Sequence, residues 1–133
     1  MSIFLNKTST IYEGNKITFS SDAESNQWYM NDRLHREGGL PAIEYTDGGK
    51  EWYVHGNLHR DGGLPAIERA AEPSLHKGGG WVDGDKEWWV HGKRHRDGGL
   101  PAIERMNGDK VWYVNGKRHR DGGLPTFEYA IWD

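Results

Sequence analysis

Apolar and polar positions along this chain repeat as a block, so no single helix or strand period describes it. Trp28, Trp52, Trp88 and Trp112 open four copies of one unit, spaced by 24, 36 and 24 residues, and a period of this length marks a repeat architecture. The copies share His-Arg-Asp-Gly-Gly-Leu-Pro-Ala-Ile-Glu, identical at residues 59–68 and 95–104. Residues 35–44 differ by Glu37 in the acidic place, and residues 119–128 end in Leu124-Pro125-Thr126-Phe127-Glu128. Within a unit, Glu51-Trp52-Tyr53-Val54 predicts a short strand with Trp52 and Val54 on one face and Tyr53 on the other. A turn follows at Asn31-Asp32, His55-Gly56, His91-Gly92 or Asn115-Gly116, residue types that accept a positive φ. After the Gly-Gly pair, Leu64-Pro65-Ala66-Ile67-Glu68 predicts a second strand, with Pro near its start where the missing N–H does least damage. Another tight turn, such as Asn107-Gly108-Asp109, leads to the next unit. Each unit reads as a β-hairpin, and the units are expected to stack into an all-β antiparallel meander.

Residues 1–27 lie outside the clear repeats, but Lys16-Ile17-Thr18-Phe19-Ser20 alternates as a half-buried strand does. Their expected role is an N-terminal cap, since the last edge of a stacked array needs covering. The repeat domain is then 28–133. Its middle spacing carries 12 additional residues, 70–81, found by aligning Val82-Asp83-Gly84-Asp85-Lys86 with Met106-Asn107-Gly108-Asp109-Lys110. This segment reads either as a surface loop or, from Leu75-His76-Lys77-Gly78-Gly79-Gly80-Trp81, as a worn half unit. With aromatics at 12% and 19 glycines against scarce Leu, Ile and Val, the core must come largely from Trp and Tyr.

A net charge of −3 from 17 basic and 20 acidic side chains, closely mixed, gives no global field toward nucleic acid or an anionic membrane. No cysteine is present, which removes disulfides, thiolate metal sites and a thiol nucleophile. No apolar run approaches the roughly 20 residues needed to span a bilayer, and the first residues lack a signal peptide's apolar region. A cytoplasmic protein is expected.

The run Trp-Tyr-Val-Asn-Gly-Lys-Arg-His-Arg-Asp-Gly-Gly, residues 112–123, resembles a variant of the MORN repeat, and the resemblance covers about 105 of the 133 residues. It departs from the usual form where Arg rather than Gly follows His, and in Leu-Pro-Ala-Ile-Glu. The resemblance implies four MORN-like β-hairpin repeats in an elongated twisted sheet used for binding. Such variants occur in bacteria, phages and large DNA viruses. The membrane role in the family's name does not transfer, because this chain has neither a basic face nor an apolar anchor.

Recurrence decides between the chemical readings. His35, His59, His95 and His119 form a column with steps of roughly 9 to 10 Å, too long for neighbours to share a metal ion at about 2 Å each. His55-x-x-x-His59 and His91-x-x-x-His95 copy a helical metal spacing, yet two units place Asn31 and Asn115 at the first position, so that position asks for a turn former. Gly-Gly here opens no helix and precedes no Lys-Ser or Lys-Thr, which argues against a phosphate loop. Neither metal nor cofactor is expected, and an enzyme is not, because a catalytic site is singular whereas these residues come in fours.

Arg36, Arg60, Arg96 and Arg120 have two readings. In one they brace the turn and pair with Glu37, Asp61, Asp97 or Asp121; in the other they grip an acidic or phosphate-bearing partner. Tyr29, Tyr53, Trp89 and Tyr113 likewise either cover neighbouring strands or anchor an interface. Together these eight residues are the candidate partner-binding face.

The expected function is protein binding by a small intracellular adaptor or inhibitor, of the kind a phage or mobile element turns on a host defence protein, with the insertion supplying specificity. Homodimerisation stays open. The alternatives are a sponge for a nucleotide or other anionic small molecule, and an enzyme using His59 or His95 as acid or base.

Overall fold

A computed structural model describes residues 6–73 and 81–130. Among these the chain is all-β, with one 3-10 turn at Asp121–Gly123. An antiparallel sheet runs through the whole array without closing into a barrel. Its order is Asn6–Tyr12, Asn15–Ser21, Ser25–Met30, Ile43–Tyr45, Lys50–Glu51, Ile67–Glu68, Lys86–Glu87, Ile103–Glu104, Lys110–Val111, Phe127–Glu128.

The predicted meander is present, but each unit contains more than one hairpin. The expected strand of residues 51–54 splits at its Trp. The Trp52 N–H donates to the Ala66 carbonyl in the main sheet at 2.8 Å, whereas the Trp52 carbonyl accepts from the His59 N–H at 3.1 Å. Trp28, Trp88 and Trp112 divide their bonds in the same way. Beyond Trp52, Trp88 and Trp112 the chain enters a second layer of two-residue strands: Tyr53–Val54 with Asn57–Leu58, Trp89–Val90 with Lys93–Arg94, and Tyr113–Val114 with Lys117–Arg118. Beyond Trp28 the strand runs on to Met30 within the main sheet, paired with Asn15–Ser21 and with Arg33–Leu34. The turns use the expected residues in left-handed conformation, with φ of 51° and 65° at Asn31-Asp32, and 48° and 86° at His55-Gly56.

The small hairpins also bond to one another. The N–H groups of Gly56, Gly92 and Gly116 donate to the carbonyls of Leu34, Leu58 and Arg94 at 2.8, 2.9 and 2.8 Å. Both layers therefore advance by two hydrogen-bonded strands per unit. Between them lie the buried Trp52, Trp88 and Trp112, with Ile43, Ile67 and Ile103 and the wholly inaccessible Ala42, Ala66 and Ala102. In the last unit the Ala position is Thr126, half-buried where no further unit follows.

The N-terminal hairpin, Asn6–Tyr12 with Asn15–Ser21, pairs its second strand with Ser25–Met30. Its buried side chains are the polar Thr18 and Ser20, while Ile17 and Phe19 are half-buried. Thr18 is satisfied by a 3.0 Å hydrogen bond to Ser9, and Phe19 lies 5.2 Å from Trp28.

The insertion leaves the array undisturbed. Arg69 N–H donates to the Asp85 carbonyl at 2.9 Å, matching Tyr45 to Gly49 at 2.8 Å and Arg105 to Asp109 at 2.9 Å. These ends stand 16 residues apart in sequence where the ordinary turns have 4, which recovers the 12 additional residues. What emerges is a hairpin stem, Glu72–Pro73 paired with Trp81–Val82; the rest of the expected worn half unit lies outside the described residues. Gly84 is buried against its base, where a Cβ would fall 2.3 Å from the Ala70 carbonyl oxygen. Replacing residues 70–84 by Thr-Asp-Gly, the sequence of residues 46–48, is expected to preserve the fold. Because shortening a closed loop changes its entropy only slowly with length, about 0.6 kcal/mol per halving, urea unfolding should show a stability change below about 2 kcal/mol.

Candidate functional site

The geometry of the repeated motif follows from the left-handed Gly-Gly pair, with φ of 83° and 71° at Gly62 and Gly63 and close to these in the other units. A Cβ at most of these glycines would meet no atom within 4 Å, so backbone conformation rather than crowding demands glycine. The reversal carries Glu68 back beside Arg60. The Arg60 guanidinium lies over the Trp52 ring, 3.6 Å from its centroid, and Nη1 donates to the Pro65 carbonyl at 3.0 Å and to Glu68 Oε2 at 3.1 Å. Arg36, Arg96 and Arg120 repeat this on Trp28, Trp88 and Trp112, each with its own Pro and Glu. The Trp52 indole N–H donates to the carbonyl of Gly39 in the preceding loop at 3.0 Å. The expected partners Glu37, Asp61, Asp97 and Asp121 do not pair with Arg. Glu44, Glu68, Glu104 and Glu128 do, because the chain reversal brings in the acid eight residues on, whereas the acid next in sequence is taken by His.

Three of those histidines, His35, His59 and His95, each join two units. His59 Nδ1 accepts the backbone N–H of His91 at 2.9 Å, and its Nε2 lies 2.7 Å from Asp61 Oδ1. His35 and His95 likewise hold the N–H groups of His55 and Asn115, both at 3.0 Å. With Nδ1 accepting, the single ring proton sits on Nε2 toward the carboxylate, so the ring is neutral. His55 stacks on His35 at 4.4 Å and His91 on His59 at 4.5 Å, across units rather than within the i, i+4 pairs. Among the described residues no group of three His, Asp or Glu side chains is placed to hold a metal ion.

The main sheet carries two further columns that the sequence reading missed. On one face Glu44, Lys50, Glu68, Lys86, Glu104, Lys110 and Glu128 face each other in turn, an alternating charge ladder linking the Arg-bound glutamates. Opposite-charge cross-strand pairs stabilise by roughly 0.2–1 kcal/mol each. On the other face, Ile43, Glu51, Ile67, Glu87 and Ile103 succeed one another, with both acids buried. Glu51 accepts from the Tyr45 and Tyr53 hydroxyls at 3.0 and 2.9 Å, with Arg69 at 3.4 Å, and Glu87 accepts from the Trp89 indole at 3.0 Å and from Arg94 at 3.4 Å. Tyr29 donates likewise to Gln27, while Val111 occupies that position beside Tyr113. The second aromatic column is therefore half-buried, and three of its members already have partners for their polar ends. The available signal was the residue two before each aromatic, acid or amide in three units and apolar in the fourth.

Successive Gly-Gly loops enclose a row of clefts. One of about 380 Å³ lies between the loops of units one and two, one of about 310 Å³ between units two and three, and one of about 190 Å³ between units three and four. A fourth of about 470 Å³ separates the first loop from the N-terminal hairpin. Tyr29, Tyr53, Trp89 and the four Arg of the candidate face line these clefts, whereas Tyr113 is not among the lining residues. The Arg side chains are only 17–22% exposed. Each dividing wall presents an exposed Leu, Leu40, Leu64 or Leu100, 48–49% accessible, and the last loop carries Leu124, 52% accessible but outside the cleft linings. The insertion stem arises at the far end of the return strands from these loops. Compared with known proteins, the chain matches no family model, no curated protein and no solved structure.

Replacing His59 by Ala leaves the His91 N–H without its acceptor and is expected to cost about 1–3 kcal/mol. His119, 55% exposed and reaching only Asp121 among the described residues, should cost less than about 0.5 kcal/mol; equal losses in urea unfolding would show that the inter-unit bond is not what His59 supplies.

Burial, and then the charge of Glu51, raise the Tyr45 hydroxyl above its ordinary pKa of 10.0. Burial and the hydrogen bond to Glu51 raise Tyr53 further. Both hold their protons more tightly folded than unfolded, so the stability they contribute is complete below the unfolded value and lost as the pH climbs through the folded ones. Between pH 8 and pH 11 the urea midpoint of the wild type should therefore fall more than that of Tyr53→Phe.

Proposed function

We propose that this protein is a non-enzymatic binding module, a MORN-like repeat scaffold acting as an adaptor or inhibitor, that docks another protein along its row of loop clefts. The observation carrying this reading is the half-exposed Leu repeated in all four loops. Neighbouring positions of the motif, Pro, Ala and Ile, go into the core in three units, while the Leu stays at the surface in every one. Repeated large apolar side chains at one edge, beside aromatic-floored clefts, are what a protein interface uses. Support for contact thus moves from the Arg and Tyr/Trp columns to the loops that wall them. Those columns serve as floor and brace, and Arg60→Ala would disturb the fold as well as the face. The anion sponge is less well supported, since every guanidinium of the column already meets a carboxylate.

Affinity capture with the wild type and with Leu64→Ser/Leu100→Ser tests the placement. The variant should retain the wild-type melting temperature to within a few degrees, because surface substitutions of this kind change stability by about 0.5 kcal/mol or less. A protein retained in stoichiometric amount by the wild type and released by the variant is the expected result. Identical capture by both baits, or by neither, would sink this docking face.

A further inference from the structure

We infer that the cleft row takes an extended, basic, polyproline II segment with Lys or Arg at every third residue. This rests on the docking reading above and adds the chemistry and conformation of the occupant.

Charge comes first. In each of the first three loops the His ring is neutral, since its Nδ1 accepts a backbone N–H. The acid it touches, Glu37, Asp61 or Asp97, therefore keeps its full negative charge, with the side chain 79, 95 and 94% exposed. The nearby guanidinium is bonded to the Glu eight residues on and not to this acid. Each of these loops thus presents one exposed carboxylate, held only by a neutral imidazole among the described residues, at the lip of a cleft and beside an exposed Leu. A cation with an apolar stem complements that pair of groups.

Spacing comes second. Two antiparallel strands per unit set the repeat at about 9.4–9.8 Å, and the hydrogen-bonded hairpin layer holds the loop side of the array to the same two-strand step. A polyproline II chain rises about 3.1 Å per residue with three residues per turn, so every third side chain returns to one face after about 9.3 Å. A β-strand returns to one face after about 6.6–6.8 Å, and its third residue points the opposite way. A helix brings residue i+7 back near one face after about 10.5 Å. Over the two steps linking the three acid-bearing loops, the helix drifts by roughly 2 Å and polyproline II by about 0.5 Å. The half-buried aromatics, Trp89 in one cleft and Tyr53 in the next, suit the rings of Pro in such a segment.

The test uses the intact protein and fluorescence polarisation of labelled 15-residue peptides. A Pro-Pro-Lys repeat is expected to bind at least tenfold tighter than a peptide of the same composition with its lysines bunched at one end, with affinity falling as salt rises. A Pro-Pro-Glu repeat is expected not to bind. In Asp61→Asn/Asp97→Asn each Asn still offers an oxygen to the His Nε2–H, so the fold is kept while the charges go, and affinity should drop at least tenfold. Equal binding of the bunched peptide, or an unaffected double variant, overturns the inference. Should a Leu-dependent partner be captured that docks through a helix or a folded surface, the inference falls while the docking reading stands. Should no Leu-dependent partner be captured, the docking reading falls and takes the inference with it.

Discussion

One guanidinium per unit holds the array in place. Arg60 touches three things that the chain brings together only after folding: the ring at the point where the strand splits, the carbonyl of the Pro that begins the return strand, and the carboxylate that ends it. A cation over an indole contributes about 0.5–2 kcal/mol according to how dry it is. Its larger effect is geometric, because the contact with the ring and the two hydrogen bonds tie both ends of the return strand to the start of the unit. Ala66 and Ile67, between those two ties, are buried in the core.

The fold class was written plainly in the repeat. Turn residues at positive φ, glycines in pairs and Pro at the head of the return strand each express a local backbone preference, and local preferences can be read one unit at a time. The strand through Trp52 was legible only up to its break, since which of its hydrogen bonds go to which layer depends on residues 14 and 7 positions away.

The candidate site was harder to read because its contacts are set by chain reversal and stacking. Arg60 was matched to the acid beside it in sequence, yet a two-glycine reversal places Glu68 closer. The His reach escaped notice for a similar reason: His35 and His95 bond 20 residues ahead and His59 bonds 32 ahead, the difference being the length of the insertion. Glu51 and Glu87 each follow a Lys in sequence. Only the register, which sets them between isoleucines, shows that they are buried and held by aromatic donors.

The turn that carries the insertion closes with the same hydrogen bond as turns one quarter as long. Contour length and pitch are therefore uncoupled at that edge of the array. Material can be added or removed there while the clefts along the opposite edge keep their spacing, so the two margins of the sheet are free to diverge under separate selective pressures. A regular ruler on one side can coexist with an ornamented margin on the other, both built from a single 24-residue unit.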